Sequence, residues 1–243
     1  VGNAMLKQED YKQHISEKFN AELEAIRNHL LEMGGKVEKQ LVDAVDALVL
    51  RDSGRAEEII HLDHEVNEME KRIDDECATI LARRQPAASD LRLVVTVIKV
   101  NTDIERIGDE AAKIARQTIK LSEENPSPTN YVEIRHIGTH VAAMLRTALD
   151  AFARLDPQQA VDVIAEDKDV DKEYGSAMRR LVTFMMEDPR DISAILNEMW
   201  ALRSLERIGD HSANIAEHVV YLVRGLDVRH QSIETLIDQV GEQ

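Results

Sequence analysis

The sequence predicts an all-α fold made of two tandem repeated three-helix bundles, with six long helices in an elongated molecule. Its composition is typical of long helices, because only 3% of the 243 residues are aromatic and five are prolines. Apolar residues recur every three or four positions through most of the chain, which is the helical period. In addition, one eleven-residue segment occurs twice, 101 residues apart, which indicates an internal duplication.

Turn and capping residues delimit the first three helices. Asp52-Ser53-Gly54 forms a turn and supplies the N-cap of the second helix, because Asp and Ser side chains accept hydrogen bonds from free helix N–H groups. Pro86 ends that helix, since proline restricts the residue before it, and Ser89-Asp90 is expected to cap the third. The expected helices cover residues 8–51, 55–84 and 89–121.

A linker and two Asp-Pro pairs delimit the other three helices. Residues 122–129 are the one stretch with linker composition, and they place a boundary between two halves. Asp156-Pro157 and Asp188-Pro189 restart the helix, because proline is favoured at the first helical position. The expected helices cover residues 130–155, 157–186 and 189–224. We therefore expect a first repeat over 5–121, a second over 130–225 and a C-terminal tail over 226–243.

The duplicated segment begins Glu-Arg-Ile-Gly-Asp in both copies and carries two carboxylates four residues apart. These are Glu105 and Asp109 in the first copy, and Glu206 and Asp210 in the second. Such pairs lie on one helix face, where like charges repel by about 0.2–0.5 kcal/mol. Both glutamates fall on apolar, core-facing stripes, and a buried carboxylate costs several kcal/mol unless it is paired, protonated or metal-bound. The pattern therefore indicates a cation at each copy.

The middle helix of each half supplies a second polar pair four residues apart. A constant shift of 104 residues relates Asp63 to Asp167 and Asn67 to Asp171. Oxygen donors that converge from two helices suit a divalent ion or a small metal cluster. Oxygen ligands favour hard ions, and the candidates are Fe, Mn, Mg, Ca and Zn. The predicted metal ligands are Asp63, Asn67, Glu105, Asp109, Asp167, Asp171, Glu206 and Asp210.

Two structural alternatives to metal stay open. In the first, arginine neutralises the acids, because Arg106 and Arg207 adjoin the duplicated glutamates. A neighbouring residue points about 100° away on a helix, however, so we expect each arginine to reach a different partner. In the second alternative, the acids lie on a solvated rim of the bundle.

An alternative function is a carboxylate di-metal oxidase or a metal-storage bundle. Glu58/His61 and Glu133/His136 have the Glu-x-x-His spacing of di-iron bundles. Neither glutamate lies on an apolar stripe, and the repeat does not relate the two pairs, so we interpret both as chance. Because the sequence shows no Gly-rich phosphate loop, Ser/His/Asp pattern or Cys/His metal spacing, we do not expect an enzyme.

Charge and cysteine content exclude further classes. A net charge of −16 argues against nucleic acid as a partner and favours cations or a partner with a basic face. Cys77 is the one cysteine, so we expect it in the core of a protein from a reducing compartment. No apolar run approaches the roughly 18 residues of a membrane span, and no cleavable signal is apparent. We expect the residues before Met5 to be an expression remnant.

These residues together resemble the PhoU family. Glu-Arg-Ile-Gly-Asp lies on the last helix of each half, and Asp-x-x-x-Asp or Asp-x-x-x-Asn lies on the middle helix. Gln85-Pro-Ala-Ala-Ser-Asp-Leu-Arg92 has the character of the loop that opens the third helix in that family. The resemblance extends from about Tyr11 to Gly225 and implies the PhoU-like fold.

The resemblance also implies a function. It implies a cytoplasmic, peripheral, non-enzymatic regulator that acts between the ATPase subunit of a phosphate ABC transporter and a membrane sensor histidine kinase. Such a protein restrains phosphate uptake and keeps the phosphate-starvation response off when phosphate is plentiful. The resemblance further implies a homodimer and metal at the paired acidic motifs. Asn67 departs from the acidic pattern, and since a neutral amide is a weaker ligand for a hard cation, we expect the first site to be the weaker one.

Overall fold

Six long α-helices make up most of the chain in a computed structural model, which describes residues 8–86, 88–124, 129, 131–229, 231 and 235–236, with side chains from residue 17 onward. A short 3-10 turn, Pro189–Asp191, lies between the fifth and sixth helices. The described part contains no strand, so the predicted all-α fold is confirmed. The helices are α1 Gln8–Leu50, α2 Ser53–Arg84, α3 Ala88–Ser122, α4 Val132–Arg154, α5 Pro157–Glu187 and α6 Ile192–Arg224.

Aspartate caps set several helix starts as the sequence predicts. The Asp52 side chain accepts a hydrogen bond from the backbone N–H of Arg55 at 3.0 Å, at the start of α2. Asp156 accepts bonds from two backbone N–H groups at the start of α5. The expected cap at Ser89-Asp90 is wrong, because α3 already begins at Ala88 and both residues lie in its first turn. Asp188 caps the 3-10 turn and not α6.

The first three helices pack on one another, as do the last three, and two cross-contacts join the sets. Helix α3 packs along α6, and α1 packs along α4. Buried apolar residues from all six helices form one continuous core, in which Phe152 and Leu30 are fully buried. Cys77 is buried in this core, as expected, and burial raises the pKa of its thiol to about 12. The division into repeats at 5–121 and 130–225 stays a prediction.

The contact between α1 and α4 is close at two equivalent points. A β-carbon added to Gly138 would lie 2.8 Å from both methyl carbons of Val45. A β-carbon added to Gly34 would lie 2.7 Å from a methyl carbon of Leu149. The 104-residue shift relates Gly34 to Gly138 and Val45 to Leu149, so the two contacts are copies of each other. The glycines therefore permit a near-symmetric approach of the two halves.

The remaining segments add little to the site. The predicted polar tail, 226–243, lies partly outside the described residues, but Val228 and Leu236 are buried. In the described part of the chain, no helix has a stretch long and apolar enough to cross a bilayer.

Candidate metal centre

Three of the predicted ligands in the second half of the chain come together between two helices. Asp171 lies on α5, and Glu206 and Asp210 lie one turn apart on α6. Carboxylate oxygens of all three lie within 4.8 Å of one another. Two oxygen ligands on opposite sides of an ion, each about 2.0–2.4 Å from it, are about 4.0–4.8 Å apart. The three side chains can therefore contact one ion without a change of backbone.

Asp167 forms the inner side of this cluster. It lies one helical turn before Asp171, and its Oδ1 would be 3.5 Å from a β-carbon on Gly209 of α6. Burial raises its pKa to about 6, and the charges of Asp210, Asp171 and Glu206 add to this effect. All four predicted ligands of the second set are therefore neighbours in space.

The cluster is short of positive charge. Burial and the charge of Asp210 raise the pKa of Glu206, while burial and the charge of Asp171 raise the pKa of Asp210. Arg203 donates a hydrogen bond to Oε1 of Glu206 at 2.7 Å. The other oxygen, Oε2, is buried and finds no hydrogen-bond partner among the described residues. Because an unpaired buried carboxylate oxygen is costly, this atom marks where a cation would bind.

The oxygen atoms of the corresponding set in the first half do not converge to the same extent. Burial and then Asp109 raise the pKa of Asp63. Burial, Asp109 and, more weakly, Asp63 also raise the pKa of Glu105, so the three acids affect one another. Among the described residues, their oxygens do not form a set within 4.8 Å. Oδ1 of Asp63 and Oδ1 of Asn67 are buried without a hydrogen-bond partner there. Asn67, the fourth predicted ligand, thus also has a buried side-chain oxygen without a partner, but it does not complete a ligand set.

Gln40 of α1 is a residue that the sequence prediction missed. Its side chain is buried at the first set, and its Oε1 would lie 3.4 Å from a β-carbon on Gly108, beside Oδ1 of Asp63 at 3.6 Å. That amide oxygen has no hydrogen-bond partner among the described residues. The 104-residue shift places Met144 at the equivalent point, so the two sets differ here. A glutamine inside an apolar stripe was the available signal.

Arginine neutralises only part of this charge. Arg106 lies 3.6 Å from Glu105 and 4.0 Å from Asp109, so the expectation that it would reach a different partner is wrong. Arg207 does reach a different partner, Glu110, at 3.1 Å. Contacts of 3.6–4.0 Å from an exposed guanidinium are weak. Arginine pairing therefore leaves the buried oxygens of both sets uncompensated.

The acidic side chains differ in exposure: some are mostly covered, and others face solvent. The Glu206 side chain is 12% exposed and that of Glu105 is 15% exposed, whereas Asp171 and Asp210 are open to solvent. Asp171 and Asp210 lie beside the apolar stripes of α5 and α6 and not on them, so their side chains face solvent while that of Glu206 is mostly covered. Because Glu206 is mostly covered while Asp171 and Asp210 face solvent, an ion could reach the cluster from solution.

The donor set consists of oxygen atoms. His211 adjoins Asp210 in the sequence, but its Nδ1 lies 2.9 Å from Oδ1 of Asp103 on α3 and faces away from the acidic cluster. Carboxylate oxygens suit hard divalent ions such as Mg²⁺, Ca²⁺ and Mn²⁺. The residues present therefore fit such an ion better in the second set than in the first.

Comparison with known sequences points to one family. The family model described as PhoU domain matches residues 30–118 and again residues 134–219. A Pseudomonas aeruginosa protein named phosphate-specific transport system accessory protein PhoU homolog is 58% identical over 236 residues, which are 97% of this chain and 98% of that protein. An Escherichia coli protein named phosphate-specific transport system accessory protein PhoU is 48% identical over 217 residues, which are 89% and 90% of the two chains.

Solved structures agree with the sequence comparison. The crystal structure of PhoU from Pseudomonas aeruginosa superposes with a TM-score of 0.84 at 62% identity, and the match covers 86% of this chain and all of that one. The crystal structure of the phosphate transport system regulatory protein PhoU from Streptococcus pneumoniae has a TM-score of 0.79 at 30% identity and covers 86% and 98%. The six-helix arrangement is thus shared with two experimental structures.

Proposed function

Because the chain belongs to the PhoU family, we propose that it is an accessory protein that regulates phosphate transport. Relatives that are 58% and 48% identical over at least 89% of this chain are named as accessory proteins of the phosphate-specific transport system. The match includes both copies of the repeat. Full-length similarity at this level supports the same cellular role for this chain.

The finer proposal is that the protein is a non-enzymatic adaptor on the cytoplasmic side of the membrane. It contacts the ATPase subunit of a phosphate ABC transporter and a sensor histidine kinase, and it keeps the starvation response off when phosphate is plentiful. A net charge of −16 supports partners with basic faces, because long-range attraction accelerates their association. We include a homodimer in this proposal, and light scattering on the purified chain tests it directly.

The acidic clusters supply the proposed metal sites. Asp171, Glu206 and Asp210 hold a hard divalent ion, and Asp167 forms the inner wall beneath it. The ion supplies positive charge that draws α5 and α6 together, because its ligands come from both helices. The weaker set, Asp63, Asn67, Glu105 and Asp109, holds its ion between α2 and α3 with Gln40 beside it. The single observation that supports this most is the convergence of carboxylate oxygens of Asp171, Glu206 and Asp210 within 4.8 Å of one another.

A genetic complementation experiment tests the regulatory role. A bacterium that lacks its own PhoU protein would carry a reporter for the phosphate-starvation response and express this chain. We expect the wild-type chain to restore repression in phosphate-rich medium, and a chain with both Glu105→Gln and Glu206→Gln to restore less of it. The exposed Glu58→Gln is the matched control, since Glu58 lies outside both clusters. Failure of the wild-type chain to repress the reporter at normal expression would contradict the proposed role.

The alternative of a di-metal oxidase makes a different prediction. Such sites combine carboxylates with histidine on the bundle interior. The three ligands that converge here are all carboxylates, and His211 contacts Asp103 instead. Oxygen consumption after addition of ferrous iron would separate the two functions, and sustained consumption would favour the oxidase.

A further inference from the structure

A second group of metal-ligand side chains lies on the opposite face of α5, against α4. His136 and His140 are one helical turn apart on α4, and Glu173 of α5 faces both. Nε2 of His136 lies 3.3 Å from Oε1 of Glu173, and Nδ1 of His140 lies 3.1 Å from Oε2. Two imidazoles from one helix thus meet a single carboxylate from its neighbour.

We propose that His136, His140 and Glu173 bind a zinc-type divalent ion. Two histidines at i and i+4 of one helix, with a carboxylate from elsewhere, are the protein ligands of open zinc sites. Two ligand atoms that lie about 2.1 Å from an ion and about 100° apart are about 3.2 Å from each other. The observed distances, 3.3 Å from His136 to Oε1 and 3.1 Å from His140 to Oε2, are close to this value, with each ring beside a different oxygen of Glu173. The ion would replace the direct contact between each ring and the carboxylate.

The site has freedom to close around an ion. Unlike Asp171, Glu206 and Asp210, these three ligands do not yet all lie within 4.8 Å of one another. The side chain of His136 is 67% exposed, so its ring can turn towards the ion without displacing a packed neighbour. His140 and Glu173 are half-buried and hold the other side of the site in place. For all three ligand atoms to contact one ion, the exposed side chain of His136 would therefore have to rotate.

Neighbouring groups leave room for a further ligand. A surface cavity of about 260 Å³ opens between α4 and α5 at these residues, with space for water in the remaining coordination position. Glu133 faces the same cavity, but Arg180 pairs with one of its oxygens at 2.5 Å. The arginine thereby keeps a second carboxylate away, and a set of two nitrogens and one carboxylate selects a softer ion than the acidic clusters do.

This site is separate from the acidic clusters, and the repeat does not duplicate it. Glu173 lies two residues after Asp171, which turns it about 200° around α5, towards α4 and away from α6. The 104-residue shift places Glu32, Lys36 and Met69 at the equivalent positions of the first half, which is not a ligand set. We therefore expect one zinc-type ion per chain.

Titration with Co²⁺, a spectroscopic substitute for Zn²⁺, tests the proposal. The full chain, stripped of metal, would be titrated in excess Mg²⁺, which competes for the oxygen sites. We expect one equivalent of Co²⁺ to bind with visible absorption that indicates nitrogen ligands, and Zn²⁺ to displace it. A double variant, His136→Gln with His140→Gln, should bind at least about tenfold more weakly. His61→Gln, at an exposed histidine of α2, should bind like the wild type.

Two further measurements, the pH dependence of binding and the helical content of each variant, separate loss of the site from loss of the fold. Affinity should fall on acidification, because protons compete with the ion for the ring nitrogens. Circular dichroism of each variant would check that α4 is intact. The proposal is overturned if the double variant keeps wild-type affinity, or if Glu206→Gln and not the histidine variant abolishes the cobalt absorption.

Discussion

Gly209 of α6 lies against the carboxylate of Asp167 on α5: a β-carbon on the glycine would be 3.5 Å from Oδ1 of the aspartate. The repeat preserves this arrangement, because a β-carbon on Gly108 would be 3.6 Å from Oδ1 of Asp63. Glycine in a helix costs about 1 kcal/mol relative to alanine. In both copies of Glu-Arg-Ile-Gly-Asp, the glycine thus leaves a carboxylate oxygen of the neighbouring helix uncovered at the proposed metal site.

Gly209→Ala is expected to stabilise the metal-free protein and to weaken metal binding. Its methyl group would meet Val170 at 3.4 Å and Val141 at 3.7 Å, which are ordinary contacts, so the gain is up to about 1 kcal/mol of helix propensity. The same methyl group would cover Asp167. Thermal unfolding with and without Mn²⁺ measures both effects.

Gly35→Ala is the matched control for that substitution. Gly35 lies inside α1 with open space around its α-carbon, so alanine there should add helix propensity alone. Both variants should raise the midpoint without metal, but only Gly209→Ala should reduce the further rise that Mn²⁺ produces. An equal metal-induced rise in the two variants would contradict a role for the glycine at the site.

Asp167→Asn is expected to remove a pH-dependent loss of stability. The carboxyl has a pKa of about 6 in the folded chain and about 3.9 in an unfolded chain, so the folded state binds the extra proton. Its contribution to stability is present below about pH 4 and is lost as the pH rises to about 6. Because the group is half-exposed, we expect the asparagine variant to gain about 1–2 kcal/mol over the metal-free wild type at pH 7.

Urea unfolding at pH 4 and pH 7 measures this difference in the free energy of unfolding. The two proteins should be alike at pH 4, should diverge as the pH rises towards about 6, and should keep that difference at pH 7. Asp162→Asn, at an exposed position of α5, should follow the wild type at both pH values. A variant at residue 167 that is less stable than the wild type at pH 7 would argue that the carboxylate has a structural partner.

Asp103→Asn is expected to weaken the contact between the two halves. Nδ1 of His211 lies 2.9 Å from Oδ1 of Asp103, and Nε2 of His218 lies 3.3 Å from Oδ2, both across the α3–α6 contact. Burial alone would raise the pKa of Asp103, but the hydrogen bonds from these histidines outweigh it and the pKa is lowered. The stabilisation is therefore present at neutral pH and is lost as the pH falls through the lowered pKa.

We expect Asp103→Asn to cost about 1–3 kcal/mol at pH 7, the usual value for hydrogen bonds to a charged group. The deficit should shrink in acid, where the wild-type carboxylate is protonated as well. Asp75→Asn, at an exposed position of α2, serves as the comparison. A deficit that is equally large at low pH would show that packing, and not charge, is responsible.

Alanine substitutions at the α1–α4 contact should differ in cost. At Gly138, the added carbon would lie 2.8 Å from two methyl carbons of Val45, whose branched side chain cannot turn aside easily. At Gly34, it would meet the end of the longer Leu149 side chain, which can move further. We expect Gly138→Ala to destabilise by about 1–3 kcal/mol and Gly34→Ala by less. Equal costs in urea unfolding would indicate that the backbones separate in both cases.

Much of the fold could be predicted because its signals are local. Aspartates before helix starts, such as Asp52 and Asp156, fix boundaries through hydrogen bonds to residues two or three positions away. The 104-residue shift then identifies equivalent positions in the two halves without any structure. The acidic pairs follow from the helical period alone. These features depend on spacing within one helix, which the sequence states directly.

The remaining features depend on how helices meet, which the period of one helix does not determine. Gln40 comes to the first acidic set from α1; its place in the apolar stripe indicates burial but does not identify the acids that it meets. Asp171 and Asp210 come within 4.8 Å of each other only because α5 and α6 are adjacent. Glu173 meets two histidines only because α4 and α5 are adjacent. These groups of side chains could be identified only from the way the helices pack.

The most direct measurement is a calorimetric titration of the metal-stripped chain with Mn²⁺. If Asp171, Glu206 and Asp210 hold the ion, Asp171→Asn and Glu206→Gln should each weaken the tightest site by about tenfold or more, and Asp162→Asn should leave it unchanged. At pH 6, binding to the wild type should also release protons, because burial and neighbouring charge raise the pKa values of Asp167, Glu206 and Asp210. Wild-type affinity in both ligand variants would contradict a metal site between α5 and α6.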